Sequence, residues 1–274
     1  MIDRIVIVGS GALATFYAYK WSQQFHVSVL ATWEESICAL NLADKKKQAR
    51  CLKATANWKT IKEPDLTIWI TKTYKNKESL TRYSALDWKC PILILQNGIG
   101  QEVLFKKYLG PGQKVFRGIT TQGAKLTSPG KVVNTGDGKV IVEEDSLFNR
   151  FPVIQSENIE NEVYLKLAVN AVLNPIAAIF NVENKDAIVG EAGKFLRKLV
   201  KICYPFFKKR KIFASEAAYL NHVEFIALKT GANINSMLSD KKTKRKTEVF
   251  EILGPINNEL NNKELEKIIA LLNF

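Results

Sequence analysis

The chain has 274 residues, 46% hydrophobic and 10% aromatic, enough for a sizeable core in one large domain or two of moderate size. Its formal net charge is +13, yet only 8 of the 40 basic residues are Arg, and they are not interleaved with aromatics; this reads as a Lys-rich solvated exterior and no nucleic-acid partner is expected, a nucleic-acid binder resting on charge alone. No signal peptide opens the chain and no run approaches the roughly 20 apolar residues of a membrane-spanning helix, so a cytoplasmic protein without membrane partners is expected.

Cys38, Cys51, Cys90 and Cys203 show no CxxC spacing, and His26 and His222 have no companion at metal-ligand spacing. A reduced, metal-free protein follows. With so few histidines, an enzymatic acid or base would be a Lys, a Tyr or a carboxylate.

In chain order, RIVIV at 4–8 is a short β-rich run, followed by GSGALA and the helix-like TFYAYKWSQQ. HVSVLA at 26–31, a shorter run at 50–55, DLTIWI at 65–70 and PILILQ at 91–96 continue the alternation, with helix-like segments between several of them. This is the βαβ pattern of an open, mostly parallel sheet. Within it, Gly9, Ser10, Gly11, Ala12, Leu13 and Ala14 follow a strand and open a helix, the context in which GxGxxA binds a dinucleotide. Gly9 allows the tight turn, Gly11 lets backbone approach a pyrophosphate, and Ala14 still permits close helix–strand packing. The helix N-terminus offers free N–H groups and partial positive charge to phosphates. An acidic residue at the end of the second strand would bind a ribose 2′-hydroxyl and an Arg a 2′-phosphate. Here stand Thr32, Trp33, Glu34 and Glu35, so NADPH and NADH both stay open.

Residues 114–142 change character: SPGK and TGDG are turn signals between extended runs, which predicts antiparallel strands. From about 157 the pattern is helical to the end, with 3.6-type apolar spacing in 161–180, 194–207, 214–229 and 263–272. The expected organisation is an α/β Rossmann-type dinucleotide-binding domain over 1–156 and an all-α substrate-binding domain over 157–274. Inside the first of these helices, Lys166, Asn170 and Asn174 recur every four residues in an otherwise apolar stretch, which puts an amine and two amides on one face. Pro175 cannot donate to the carbonyl of Ala171 and is expected to bend the helix. The basic run at 241–246 is read as a solvated face, and short basic clusters also occur at 45–47 and 208–211.

Taken together, these motifs resemble the 2-dehydropantoate 2-reductase (ketopantoate reductase) family over residues 1 to about 256. The residues that carry the resemblance are GSGALA, Lys72 after DLTIWIT, QNGIG at 96–100 with Asn97, GITTQGA with Ala124, KLAVNAVLNP, and NSMLSDKKTKRKTEVFEILGPI with Ser236 and Glu248 twelve residues apart. The resemblance implies an all-α second domain like the C-terminal domain of 6-phosphogluconate dehydrogenase. It implies reduction of 2-dehydropantoate to pantoate with NADPH, a step toward pantothenate and coenzyme A. Lys72, Asn97, Ala124, Glu248 and Thr32 would stand at the cofactor with the glycine-rich turn. Lys166 would be the general acid, with Glu248 tuning it, while Asn97, Asn170, Asn174 and Ser236 would hold a small keto acid. Three departures accompany the match: Thr32 replaces the family's 2′-phosphate-binding Arg, Asn235 stands where Ser is usual, and Pro255 alters the closing motif. A reductase of another 2-keto or 3-hydroxy acid, and a non-enzymatic nucleotide-binding protein, are the alternatives; the chain would be a monomer or homodimer.

Overall fold

The computed structural model describes residues 2–45 and 52–273. By its own contacts the chain divides into one unit of Met1–Gln96 and Gly100–Ile159, and a second of Asn97–Ile99 and Glu160–Phe274.

In the first unit, β1 (Arg4–Val8), β2 (His26–Leu30), β3 (Leu52–Thr55), β4 (Leu66–Trp69), β5 (Ile92–Ile94) and β6 (Val115–Thr120) lie parallel. Their order is β3-β2-β1-β4-β5-β6, the doubly wound arrangement whose crevice binds dinucleotides. Two more strands, β9 (Val140–Glu143) and β10 (Ile154–Ser156), extend the sheet beyond β6, antiparallel at β6–β9 and parallel at β9–β10.

The strands read as continuous apolar runs because both faces are covered. Ile5, Ile7, Val27, Val29, Leu66 and Ile68 pack with Ala14, Tyr17, Ala18 and Trp21 of α1 (Ala12–Trp21) and Ile37 and Leu40 of α2 (Glu34–Lys45). The alternate residues Val6, Val8, Leu30, Trp69, Ile92 and Ile94 pack with Leu80 and Tyr83 of α3 (Asn76–Ser84) and Phe105 of α4 (Gln101–Leu109). The period of two within each strand thus feeds two separate cores.

The antiparallel pairing expected over 114–142 is present. SPGK turns β7 (Gly123–Ser128) into β8 (Lys131–Gly136), with Gly130 at φ +67, the left-handed region glycine enters without strain. This hairpin packs on α1, where Tyr19 Oη donates to the Gly130 carbonyl at 2.8 Å. The structure departs from the sequence reading at β6, which also pairs parallel with β5, and at β10, a three-residue strand with one pairing neighbour and too short to show a period. The start of the run at 50–55, Cys51, and Lys46 and Lys47 of the first basic cluster lie outside the described residues.

The second unit is helical: α5 (Ile159–Phe180), α6 (Gly190–Lys209), α7 (Glu216–Lys229), α8 (Ser236–Lys242), α9 (Val249–Leu260) and α10 (Lys263–Leu272). Its core joins Leu167, Val172 and Ile176 of α5 to Leu196 and Phe207 of α6, Val223 of α7 and Leu253 of α9. Helix α5 runs unbroken through Pro175 for 22 residues. Contrary to the sequence reading, it is long and apolar enough to cross a membrane by length and composition, with an 18-residue window of mean hydropathy 1.6. Of that window 67% is buried inside the protein, the behaviour of a core helix.

Polar ties anchor α5 at both ends of its core segment. Tyr219 Oη donates to the Ala168 carbonyl at 2.8 Å, and Lys241 Nζ donates to the Ala178 carbonyl at 2.7 Å. The second tie places a cation on a free carbonyl of the helix C-terminus, where the dipole favours it. Lys241 is therefore not part of a solvated face, whereas residues 242–246 are exposed. The two histidines have structural settings: His26 Nδ1 lies 3.5 Å from Asp3 Oδ2 at the surface, and the His222 ring packs on Phe213.

Replacing Tyr219 by Phe removes one buried hydrogen bond and keeps the ring, so the unfolding free energy falls by about 1 kcal/mol. Urea denaturation with an unchanged midpoint would contradict that role.

Candidate active site

The glycine-rich turn expected to hold a dinucleotide lies at the join of β1 and α1. Gly9 N–H donates to the Leu30 carbonyl at 2.9 Å, and Gly9 sits at φ +120. A Cβ there would lie 3.0 Å from the Ile70 carbonyl oxygen and 3.2 Å from Thr71 N, so Gly9 is required by both conformation and space. Gly11 behaves oppositely: a Cβ on it would meet nothing within 4 Å. It caps α1 with no side-chain bond to the free N–H groups, while Thr15 N closes the first turn on Gly11 O at 2.8 Å. Ser10 accepts at its carbonyl from Thr15 Oγ1 at 3.3 Å, and Ala12 and Leu13 are half-buried. Ala14 is fully buried against the sheet. Open space over Gly11 in front of an uncapped helix N-terminus is a cradle that fits a diphosphate.

The other residues expected at a cofactor stand on three segments. Lys72 is half-buried in the loop after β4, directly following the Ile70–Thr71 stretch that presses on Gly9. Thr32 is exposed two residues past β2, followed by Trp33 and by Glu34 and Glu35 in the first turn of α2. Ala124 is half-buried on β7, paired across the hairpin with Asn134.

In the helical unit, α5 carries the polar ladder. From Leu167 to Ala178 every residue is buried except Asn170, and Lys166 just before it is half-buried as well. Asn174, one turn further, is 5% exposed. Between Lys166 and Ala178 the helix is thus half-open at Lys166 and Asn170, while Asn174 lies with the apolar residues in the core. Glu248, 6% exposed, precedes α9 and accepts from Asn97 Nδ2 at 3.0 Å. The 97–99 segment is pressed on the same helix, since a Cβ at Gly98 would lie 2.7 Å from the Glu251 carbonyl oxygen, and Ile99 packs into the helical core.

Ser236 is exposed as the first residue of α8. The cap of that helix is Asn235, whose Oδ1 accepts from Leu238 N at 3.0 Å and whose Nδ2 donates to Asn184 Oδ1 at 3.2 Å. The departure from Ser to Asn at 235 keeps the capping oxygen and adds an amide donor that pins the loop after α5. Of the expected site residues, the structure therefore brings together Asn97 with Glu248, and Lys166, Asn170 and Asn174 along one helix; Ser236 stands on a separate element.

Sequence reasoning missed a cluster of buried amides, Asn76, Gln96 and Gln101, beside Thr71. The signal was faint: a Gln ending an apolar strand and an Asn opening a helix, both ordinary at such positions. Among the described residues no group of three or more His, Cys, Asp or Glu could hold a metal ion.

Comparison with known proteins gives this arrangement its context. The model of the family "Ketopantoate reductase PanE/ApbA" matches residues 5–146, and that of "Ketopantoate reductase PanE/ApbA C terminal" matches 158–262. A 2-dehydropantoate 2-reductase of Pyrococcus abyssi is 28% identical, covering 98% of this chain and 95% of its own. One of Pyrococcus horikoshii is 32% identical over 77% of this chain and 73% of its own. Among solved structures, a D-mandelate dehydrogenase with NADH and anilino(oxo)acetate has the same fold, at TM-score 0.81 and 22% identity, covering 98% of this chain and 97% of that one.

Gly98 at φ +81, tight against a backbone carbonyl, makes Gly98→Ala destabilising by about 1 kcal/mol or more in chemical denaturation. Gly112→Ala, where a Cβ meets nothing within 4 Å, is the control and stays within about 0.5 kcal/mol of the wild type. Equal effects of the two would refute the close packing of the 97–99 segment.

Proposed function

The chain belongs to the ketopantoate reductase family, and from this premise we propose that it reduces 2-dehydropantoate to pantoate with NADPH. Membership makes it an NAD(P)H-dependent oxidoreductase acting on CH–OH groups; substrate, preferred dinucleotide and residue roles are the proposal. The observation that carries it is the stripe of Lys166, Asn170 and Asn174 on α5, half-buried at Lys166 and Asn170 and buried at Asn174, within an otherwise apolar helix.

The diphosphate would rest on the 9–14 turn, with Lys72 offering a cation and Thr32 and Ala124 nearby along the chain's cofactor-facing segments. When bound, the reduced nicotinamide supplies the hydride. Negative charge then develops on the carbonyl oxygen, and Lys166 Nζ stabilises it and donates the proton that completes the alcohol. A free lysine is ordinarily protonated at neutral pH, the form that can donate a proton. Asn170 and Asn174 each bring two donors and an acceptor, suited to holding the substrate carboxylate and hydroxyl, and Ser236 adds a hydroxyl. Asn97 fixes the Glu248 carboxylate by the 3.0 Å bond. Glu248 would then accept a hydrogen bond from a substrate or ribose hydroxyl and balance the Lys166 charge.

A second reading is favoured by one feature: Thr32 is exposed and followed by Trp33 and two carboxylates, with no cation among residues 32–35 for a 2′-phosphate. Under it the chain is an NADH-linked reductase of another 2-keto or 3-hydroxy acid. Comparing kcat/KM for NADPH and NADH over a keto-acid panel separates the two.

The direct test is Lys166→Ala. The expected outcome is a fall in kcat of about 10²–10⁴-fold, with dinucleotide affinity within about twofold of the wild type. A variant that keeps its turnover number would remove Lys166 from the chemistry.

A further inference from the structure

The first unit spends an unusual amount of buried polarity in one place. Asn76, the first residue of α3, is 0% exposed, and Gln96, two residues past β5, is 3% exposed. Asn76 Nδ2 donates to Gln96 Oε1 at 2.9 Å, and Gln96 Nε2 donates back to Asn76 Oδ1 at 2.7 Å. This reciprocal amide pair is extended on both sides. Asn76 Oδ1 also accepts from Trp69 Nε1 and Thr71 Oγ1, each at 3.1 Å, and Asn76 Nδ2 donates to Gln101 Oε1 at 2.9 Å. Gln96 Nε2 further donates to the Thr71 carbonyl at 2.7 Å and to Thr71 Oγ1 at 2.9 Å.

Folding alone gives no reason for this choice. Asn is a mediocre helix former, and an apolar residue would fill the same space without the desolvation cost of two amides. What the network uniquely fixes is direction: it holds the peptide between Thr71 and Lys72 by its carbonyl oxygen. The N–H side of the same residue, Thr71 N, is the atom 3.2 Å from where a Gly9 Cβ would stand. The amides therefore set how closely the loop after β4 approaches the first glycine of the dinucleotide turn. In a doubly wound sheet, the loops at the carboxyl ends of the central strands line the ligand crevice.

We propose that Asn76 is a positioning residue for dinucleotide binding: through its amide pair with Gln96, which holds the Thr71 carbonyl, it keeps the adjoining Ile70–Thr71 peptide against the Gly9 turn. The inference rests on the cofactor reading of the first unit, and it assigns Asn76 no contact with the cofactor itself. A fully satisfied buried network acts as a unit, so its members are expected to be strongly non-additive.

The experiment measures the dissociation constants of NADPH and NADH by fluorescence, without keto acid, for wild type, Asn76→Ala, Gln96→Ala and the double variant. Each single variant is expected to bind about tenfold more weakly, because the Thr71 carbonyl loses the amide pair that holds it in place. The double variant should bind no more than about threefold more weakly than the worse single one, because the pair acts as one device. Gln101→Ala removes an Asn76 partner that does not touch the Thr71 peptide; it should lower thermal stability while leaving affinity within about twofold. If Asn76→Ala fails to fold, Thr71→Val takes its place: it removes the hydroxyl that binds this network, keeps the shape, and should weaken binding in the same way. Unchanged affinity in the folded single variants, effects that multiply in the double variant, or an affinity loss in Gln101→Ala equal to that of Asn76→Ala would each overturn the proposal. A wild type that binds neither dinucleotide would overturn it together with the cofactor reading, which unchanged variant affinity would leave standing.

Discussion

A helix that is apolar almost all round can be buried only if every polar group it retains has somewhere to go. Helix α5 obeys this constraint in a particular way. Its Ala178 carbonyl is taken by Lys241 and its Ala168 carbonyl by Tyr219, so two backbone acceptors are met from other helices. Lys166 and Asn170 are the half-buried polar side chains along its core segment. The rest of the helical unit follows from that choice: α6, α7 and α9 close over the apolar faces, and α8 is moored by one long lysine and one asparagine cap.

The α/β unit obeys a different constraint, that of close backbone approach. Gly9 is where the loop after β4 comes within 3.0 Å of the space a side chain would need. Gly11, three residues past the end of β1, faces open space instead. One glycine is required by packing, and the other leaves space in front of the helix N-terminus. The buried amides behind Thr71 belong to the first purpose, since they hold the approaching segment by its carbonyl. A fold of this class is common to many chemistries, so function has to be argued from such local devices and not from the sheet.

Much of this was legible in the residues. Short apolar runs alternating with helix-like segments foretold the parallel sheet, because a strand buried on both faces is apolar throughout and its crossovers are helical. The fourfold spacing of Lys166, Asn170 and Asn174 foretold one polar stripe, since helical geometry leaves no other arrangement. What escaped notice depends on partners distant in sequence. Asn76 and Gln96 are twenty residues apart, and neither announces that its amide is buried. Lys241 looked like one more charge in a basic run, and only the position of the Ala178 carbonyl makes it a helix cap. Strand β10 is three residues long and has no period to read. Helix α5 illustrates the converse, where length and hydropathy alone suggest a membrane span and burial shows a core helix.

The central claim is that a stripe of one amine and two amides on α5 serves the reduction of a keto acid by a chain built to hold a nicotinamide dinucleotide. The most direct measurement is product analysis by mass spectrometry after incubating the wild-type protein with 2-dehydropantoate and NADPH, with loss of NADPH followed in parallel. The account predicts pantoate appearing one for one with oxidised dinucleotide. A folded protein that binds NADPH yet forms no pantoate would contradict it.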